Sequence, residues 1–268
     1  MQPTKLFVMV FSFLLGGFAS AQEFKNEVLF CYGDFYPEQI KGYQTVVLEG
    51  SHFSKADIEI LKKQNKTVLG YISLGEVNSD AAYYDSLKEF TLGKNEIWDS
   101  YILDLENHYT SEVLLKLFNE AMQTKGLDGL FLDNVDNYGP YGPTPEKLPA
   151  LVSFLVKVKE LYPEIYLLQN AGVFITDQTQ EYINAMAIES VASDYNFKTN
   201  KYRLRNFKEF EEQLERLKEI HEQYDLPIIL IEYADTKKLR SKILERINPT
   251  SWPYFIGGIQ LQKLPEFK

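Results

Sequence analysis

One cysteine, three histidines and two tryptophans are all that this chain of 268 residues holds of those types. A single thiol cannot form an internal disulfide, so burial must hold the fold together. Cys31 stands in an apolar run and reads as a small buried hydrophobe. His52, His108 and His221 form neither an H-x-H nor an H-E-x-x-H pattern, which argues against a zinc site. Glycine-rich phosphate cradles of the G-x-x-x-x-G-K-[ST] or G-x-G-x-x-G kind are missing, which disfavours nucleotide binding. Ser73, within GYISLG, lacks the spacing of a nucleophile elbow and reads as structural. The DNVD of residues 133–136 copies part of a calcium loop but has no glycine or distal glutamate in register. No metal or cofactor is therefore expected. Positive charge is also in short supply, with 28 Lys and Arg against 38 Asp and Glu and a net charge of −10. Such a surface repels phosphate backbones, so no nucleic-acid partner is expected, while a cationic substrate would be tolerated.

Long apolar stretches are confined to the start. Lys5, the apolar run 6–18 and the small-x-small Ala19-Ser-Ala21 read as a signal peptide over residues 1–21. The run is too short to span a bilayer, and an uncleaved anchor is the alternative. The expectation is a secreted or periplasmic protein with no stable membrane span. The remaining 22–268 form one domain, with no linker or composition break.

That domain repeats one theme, a short apolar run followed by an amphipathic helix. The runs are 28–32, 45–48, 67–72, 101–105, 129–132, 165–168, 185–188 and 228–231. Continuous apolar runs suit parallel strands buried on both faces. Ser54 with Asp57 reads as a helix N-cap, and Ser111 starts a helix that Gly126 ends. Pro145 opens another, and Asn206 precedes the charged helix 207–224. Eight such units indicate a (β/α)8 barrel, a TIM barrel of α/β class, with a doubly wound open sheet as the other solution. A ninth strand-like run at 256–261 is either an additional element or a sign that one of the eight is misassigned.

In such barrels the reacting groups lie at the carboxyl ends of the strands. Those ends carry acids, amides and tyrosines: Tyr71 and Glu76, Asp104, Asp133 with Asn134, Asp136 and Tyr138, Asn170, Glu189, and Glu232 with Tyr233. Carboxylates supply acid, base and nucleophile, amides grip hydroxyls and aromatic rings stack on sugars. Any one of these acids could equally be a helix cap or a solvated side chain.

GYISLGE at 70–76, GLDGLFLDNVDNY at 126–138, QNAG at 169–172, Glu189 and IEYAD at 231–235 come in a set order. The chain resembles glycoside hydrolase family 114, the endo-α-1,4-polygalactosaminidase-like barrels. The resemblance implies hydrolysis of an α-1,4-linked, galactosamine-rich polymer, with the acidic pair on the fifth and seventh strands, here Asp133 and Glu189. AIES at 187–190 departs from the family's more usual context there. Asp133 is assigned as nucleophile because polar Asn134 and Asp136 flank it. Glu189, following an apolar run, is assigned as acid/base, and the reverse assignment stays open. Tyr71, Glu76, Asp104, Asn134, Asp136, Tyr138, Asn170, Glu232 and Tyr233 are expected to bind substrate. A non-catalytic carbohydrate-binding barrel is the rival reading.

Overall fold

The computed structural model describes residues 26–266, so the expected signal peptide lies outside the described residues. Eight parallel strands follow one another in chain order: β1 (Asn26–Cys31), β2 (Tyr43–Leu48), β3 (Thr67–Ser73), β4 (Gly129–Asp133), β5 (Tyr166–Asn170), β6 (Ala185–Glu189), β7 (Ile228–Tyr233) and β8 (Tyr254–Gly257). Each pairs with its predecessor, and the sheet curls until β8 returns beside β1. There Tyr32 N–H donates to the Leu261 carbonyl at 2.7 Å, and the Phe30 and Phe255 rings meet edge to face at 5.6 Å. The result is a (β/α)8 barrel.

Two expectations about the strands need correction. Residues 101–105 are not a barrel strand. Ser100–Leu103 pairs antiparallel with Glu76–Asn78 and Thr91–Asn95 in a separate three-stranded sheet inserted between β3 and β4. The ninth apolar run supplies the true eighth strand, shifted to Tyr254–Gly257. A buried apolar tetrapeptide looks the same in either sheet, and only the pairing partner tells them apart. Asp133 and Glu189 accordingly close the fourth and sixth strands, not the fifth and seventh.

The helices follow local signals. Helix α1 (Lys55–Gln64) starts with a reciprocal box in which Ser54 and Asp57 each cap the other's backbone N–H. Helix α2 (His108–Asn119) starts one turn earlier than Ser111 suggests, because the Asn107 side chain accepts from Tyr109 N–H. It continues as a π-helical turn, Glu120–Lys125, which left-handed Gly126 ends at φ 77°. Helix α3 (Leu148–Leu161) follows β4, α4 (Phe207–Tyr224) begins at its Asn206 cap, and α5 (Lys237–Ile247) joins β7 to β8. Between β6 and α4 lies a hairpin, Ser193–Asn196 with Lys201–Leu204.

Strand side chains alternate between the barrel's inside and the helix layer. Phe30, Phe131 and Phe255 fill the inside, with Phe30 edge-on to both of the others. Along the same parity, toward the carboxyl ends, Tyr32, Tyr71, Asp133, Asn170, Glu189 and Tyr233 come together in one cup, Tyr71 level with Phe131 and Asp133 two residues beyond it. A dry aromatic floor thus lies beneath a polar rim.

Candidate active site

Asn170 is the centre of that rim. Its amide nitrogen donates to Asp133 Oδ1 at 2.8 Å and to Glu189 Oε1 at 2.7 Å, using both protons. Those two oxygens can therefore be no further apart than the two bonds laid end to end, 5.5 Å. The remaining oxygens are held by phenols. Tyr71 donates to Asp133 Oδ2 at 2.8 Å, and Tyr233 donates to Glu189 Oε2. Asn134 N–H gives Asp133 Oδ1 a further bond at 2.9 Å. Three donors thus orient Asp133 and complement its negative charge, while two hold Glu189. The Tyr71 and Tyr233 hydroxyls are pushed well above the usual tyrosine range, first by burial and then by Asp133 and Glu189 respectively. Both phenols consequently stay protonated as donors.

Glu189 has its carboxyl raised, chiefly by loss of hydration and next by the charge of Asp133. The bonds from Tyr233 and Asn170 pull the other way. The residue is nonetheless exposed to solvent at the carboxyl end of its strand. Asp136 is raised for the same two reasons in the same order, and it too stays open to solvent. These shifts record acids crowded into one cup.

Several expected substrate contacts are enclosed instead. Glu76 is buried within the inserted sheet, where Asn95, Ser100 and Asn137 donate to its carboxylate. Glu232 is fully buried in the helix layer and takes Ala192 N–H at 2.8 Å, Ser193 N–H at 2.7 Å and the Ser193 hydroxyl at 2.5 Å. Tyr138 is buried and donates to the Leu74 carbonyl at 2.7 Å. Asp104 pairs with Lys147 at 3.0 Å. Glu76, Glu232 and Tyr138 have almost no surface left to grip a sugar, whereas Asp104 stays partly exposed. Asn134 has a left-handed backbone at φ 56° and accepts from Ser73 Oγ at 2.7 Å, so it positions Asp133. Ser73 Oγ also accepts from Glu76 N–H at 3.0 Å, which ties the end of β3 to the inserted sheet.

Strand parity also brings in residues that the motif reading passed over. Tyr32 stacks obliquely on Tyr71 with ring centroids 4.8 Å apart. Burial, then Asp133, Glu189 and Glu49, raise its hydroxyl well above the usual range. Glu49, just after β2, takes Ser51 N–H at 3.0 Å, and Tyr83 near it is raised to about 12 by burial and Glu49. The two-residue alternation from Phe30 would have found Tyr32. Tyr83 comes from the insertion and left no comparable signal.

A TIM barrel with two carboxylates this close at its strand ends has the layout of a glycoside hydrolase. The model of glycoside hydrolase family GH114 matches residues 20–252, and the chain belongs to that family. Solved structures resemble it along nearly the full barrel. The glycoside hydrolase domain of PelA from Pseudomonas aeruginosa is 24% identical, with a TM-score of 0.78 over 90% of this chain and 97% of that one. Aspergillus fumigatus Ega3, solved in complex with galactosamine, is 16% identical, with a TM-score of 0.68 over 92% and 95%. The α-amylase of Geobacillus thermoleovorans is more distant, at 14% identity and a TM-score of 0.53 over 84% and 64%. Among curated proteins, no sequence matches this chain. The protein is a glycoside hydrolase. No helix among the described residues is long and apolar enough to cross a membrane.

Proposed function

We propose that the protein is exported and cleaves an α-1,4-linked, galactosamine-rich polysaccharide with retention of anomeric configuration. The observation that carries this reading is the single Asn170 amide bridging Asp133 and Glu189. Retaining enzymes place their carboxyl groups about 5–5.5 Å apart, whereas inverting ones leave about 6.5–9.5 Å for a water. A shared amide leaves no such room between the bridged oxygens.

Asp133 is the nucleophile. It attacks the anomeric carbon as Glu189 gives its proton to the departing glycosidic oxygen, leaving a glycosyl ester on Asp133. Glu189, now ionised, takes a proton from water, whose oxygen attacks the same carbon and frees Asp133. The raised carboxyl of Glu189 suits the proton-donor role, because a group that starts protonated can begin the cycle. Three hydrogen bonds onto Asp133 suit the anionic role. Substrate amines, as ammonium groups, would find their counter-charge in Asp136 and Glu49. The galactosamine bound in the Ega3 structure agrees with that chemistry.

The test is product release by residues 22–268 from a deacetylated, α-1,4-linked galactosamine polymer, with the anomer of the first product read by NMR. Cleavage with retention is expected, and its loss in Asp133→Asn and Glu189→Gln. Inverted product would overturn the nucleophile role of Asp133. Intact polymer would overturn the substrate.

A further inference from the structure

We infer that Trp98 and Phe197 form a sugar-stacking platform separate from the carboxylate pair, for chain units beyond the bond being cut. The inference rests on the polysaccharide-hydrolase reading above. Trp98 occupies the turn between Thr91–Asn95 and Ser100–Leu103 in the insertion after β3, and Phe197 the turn of the hairpin after β6. These two strands flank β4 and β5, which carry Asp133 and Asn170. The insertions therefore leave the carboxyl-end face from either side of the catalytic sector, and their turns meet. The two rings are edge to face, with centroids 5.3 Å apart and planes at 84°.

Both rings are large, and both are left in water, Trp98 at 43% and Phe197 at 45% exposure. Folding gains little from half-exposed rings, and such patches mark binding surfaces. The pair is held in place rather than dangling. Tyr195 packs edge-on to Phe197 at 5.0 Å, and Tyr202 braces Tyr195 at 4.7 Å. On the other side Asn78 donates to the Trp98 carbonyl at 3.4 Å. Braced aromatic faces on insertions that leave the same end of the barrel as the acidic cup fit one kind of occupant, a chain of sugar rings. Their C–H faces stack on the rings, and their ammonium groups are drawn to the electron-rich ring faces.

The experiment compares kcat/KM on a chain-length series of α-1,4-galactosamine oligosaccharides for wild type, Trp98→Ala, Phe197→Ala and Trp98→Tyr. The ratio of long-chain to short-chain kcat/KM should fall about tenfold in each alanine variant and recover in Trp98→Tyr, the size expected for one lost stacking contact. A uniform fall at all lengths would mean that the pair only pins the two insertions together, and would overturn the platform. So would an unchanged ratio.

Binding gives a second readout. In Trp252→Phe combined with Glu189→Gln, Trp98 is the chain's one tryptophan. Its fluorescence should shift and saturate with the long oligosaccharides at concentrations where the short ones leave it unmoved. A flat titration overturns the platform. Failure of wild type to cut any member of the series overturns the proposed activity instead, and the fluorescence titration still decides the platform.

Discussion

Glu189 and Glu232 stand at the tops of neighbouring strands, and both carboxyls are raised mainly by burial, yet their surroundings are opposite. Glu189 pairs in register with Ile231, so Glu232 lies one residue further along β7 and on the other face. That step puts Glu189 in the cup, where a phenol and an amide hold it and a water-facing edge remains. It puts Glu232 in the helix layer, where two backbone N–H groups and a hydroxyl occupy it and no surface is left. A raised carboxyl therefore does not by itself mark a reacting group. Open geometry on the inner face is what separates Glu189 from Glu232, and Glu76 repeats the lesson of Glu232 in the inserted sheet.

The largest expected effect breaks the comparison on the Glu189 side. Glu189→Gln should lower kcat about 10³-fold, the worth of a positioned general acid, in a steady-state assay on the galactosamine polymer. It should also stabilise the fold near neutral pH. The folded carboxyl is raised above its ordinary value of 4.5, so its protonated form is favoured and ionisation opposes folding as pH rises. Melting curves of the two proteins should coincide below about pH 4.5 and separate above it, with the variant higher. Coincident curves at pH 7 would remove the case for a strained acid.

Next in size is Asn170→Ala, which removes the donor common to both carboxylates. A fall in kcat of about 100-fold is expected from misplacement alone. Because the Asn170 bond lowers the Glu189 carboxyl, its loss should also carry the alkaline limb of the pH–rate profile upward. A limb that stays in place would mean that Glu189 is not the group titrating there.

On the other side of the comparison, Glu232→Ala should cost about 3 kcal/mol, because the Ala192 and Ser193 N–H groups would be left buried without an acceptor. In a domain of this size that is a fall of roughly 10 °C in calorimetry. Activity measured well below the new transition should remain within a few-fold of wild type, whereas a loss matching that of Glu189→Gln would collapse the distinction. Smallest is Tyr138→Phe, which strands the Leu74 carbonyl at a cost of about 1 kcal/mol, read as a shift of a few degrees with kcat intact.

Much of this was legible in the chain. Seven of the eight barrel strands are apolar runs in the expected places, and the Ser54–Asp57 box and the Asn206 cap begin their helices as local chemistry dictates. Asp133, Asn170 and Glu189 each end such a run, and the barrel brings all three together. What misled was the run at 101–105, because apolar content reports burial and not the identity of the sheet. Tyr138 and Glu76 misled similarly, since nothing local tells whether a polar side chain beyond a strand turns back into the protein.

The sequence by itself determined the alternation of strand and helix, the acidity of the surface and the set of acids, amides and phenols at the strand ends. Local propensity and hydrophobic period need only neighbouring residues to act. Which of those ends face one another was decided by tertiary structure alone. Closing the sheet fixes the register, register fixes the parity of each side chain, and a shift of one residue turns Glu232 away from the cup that Glu189 enters.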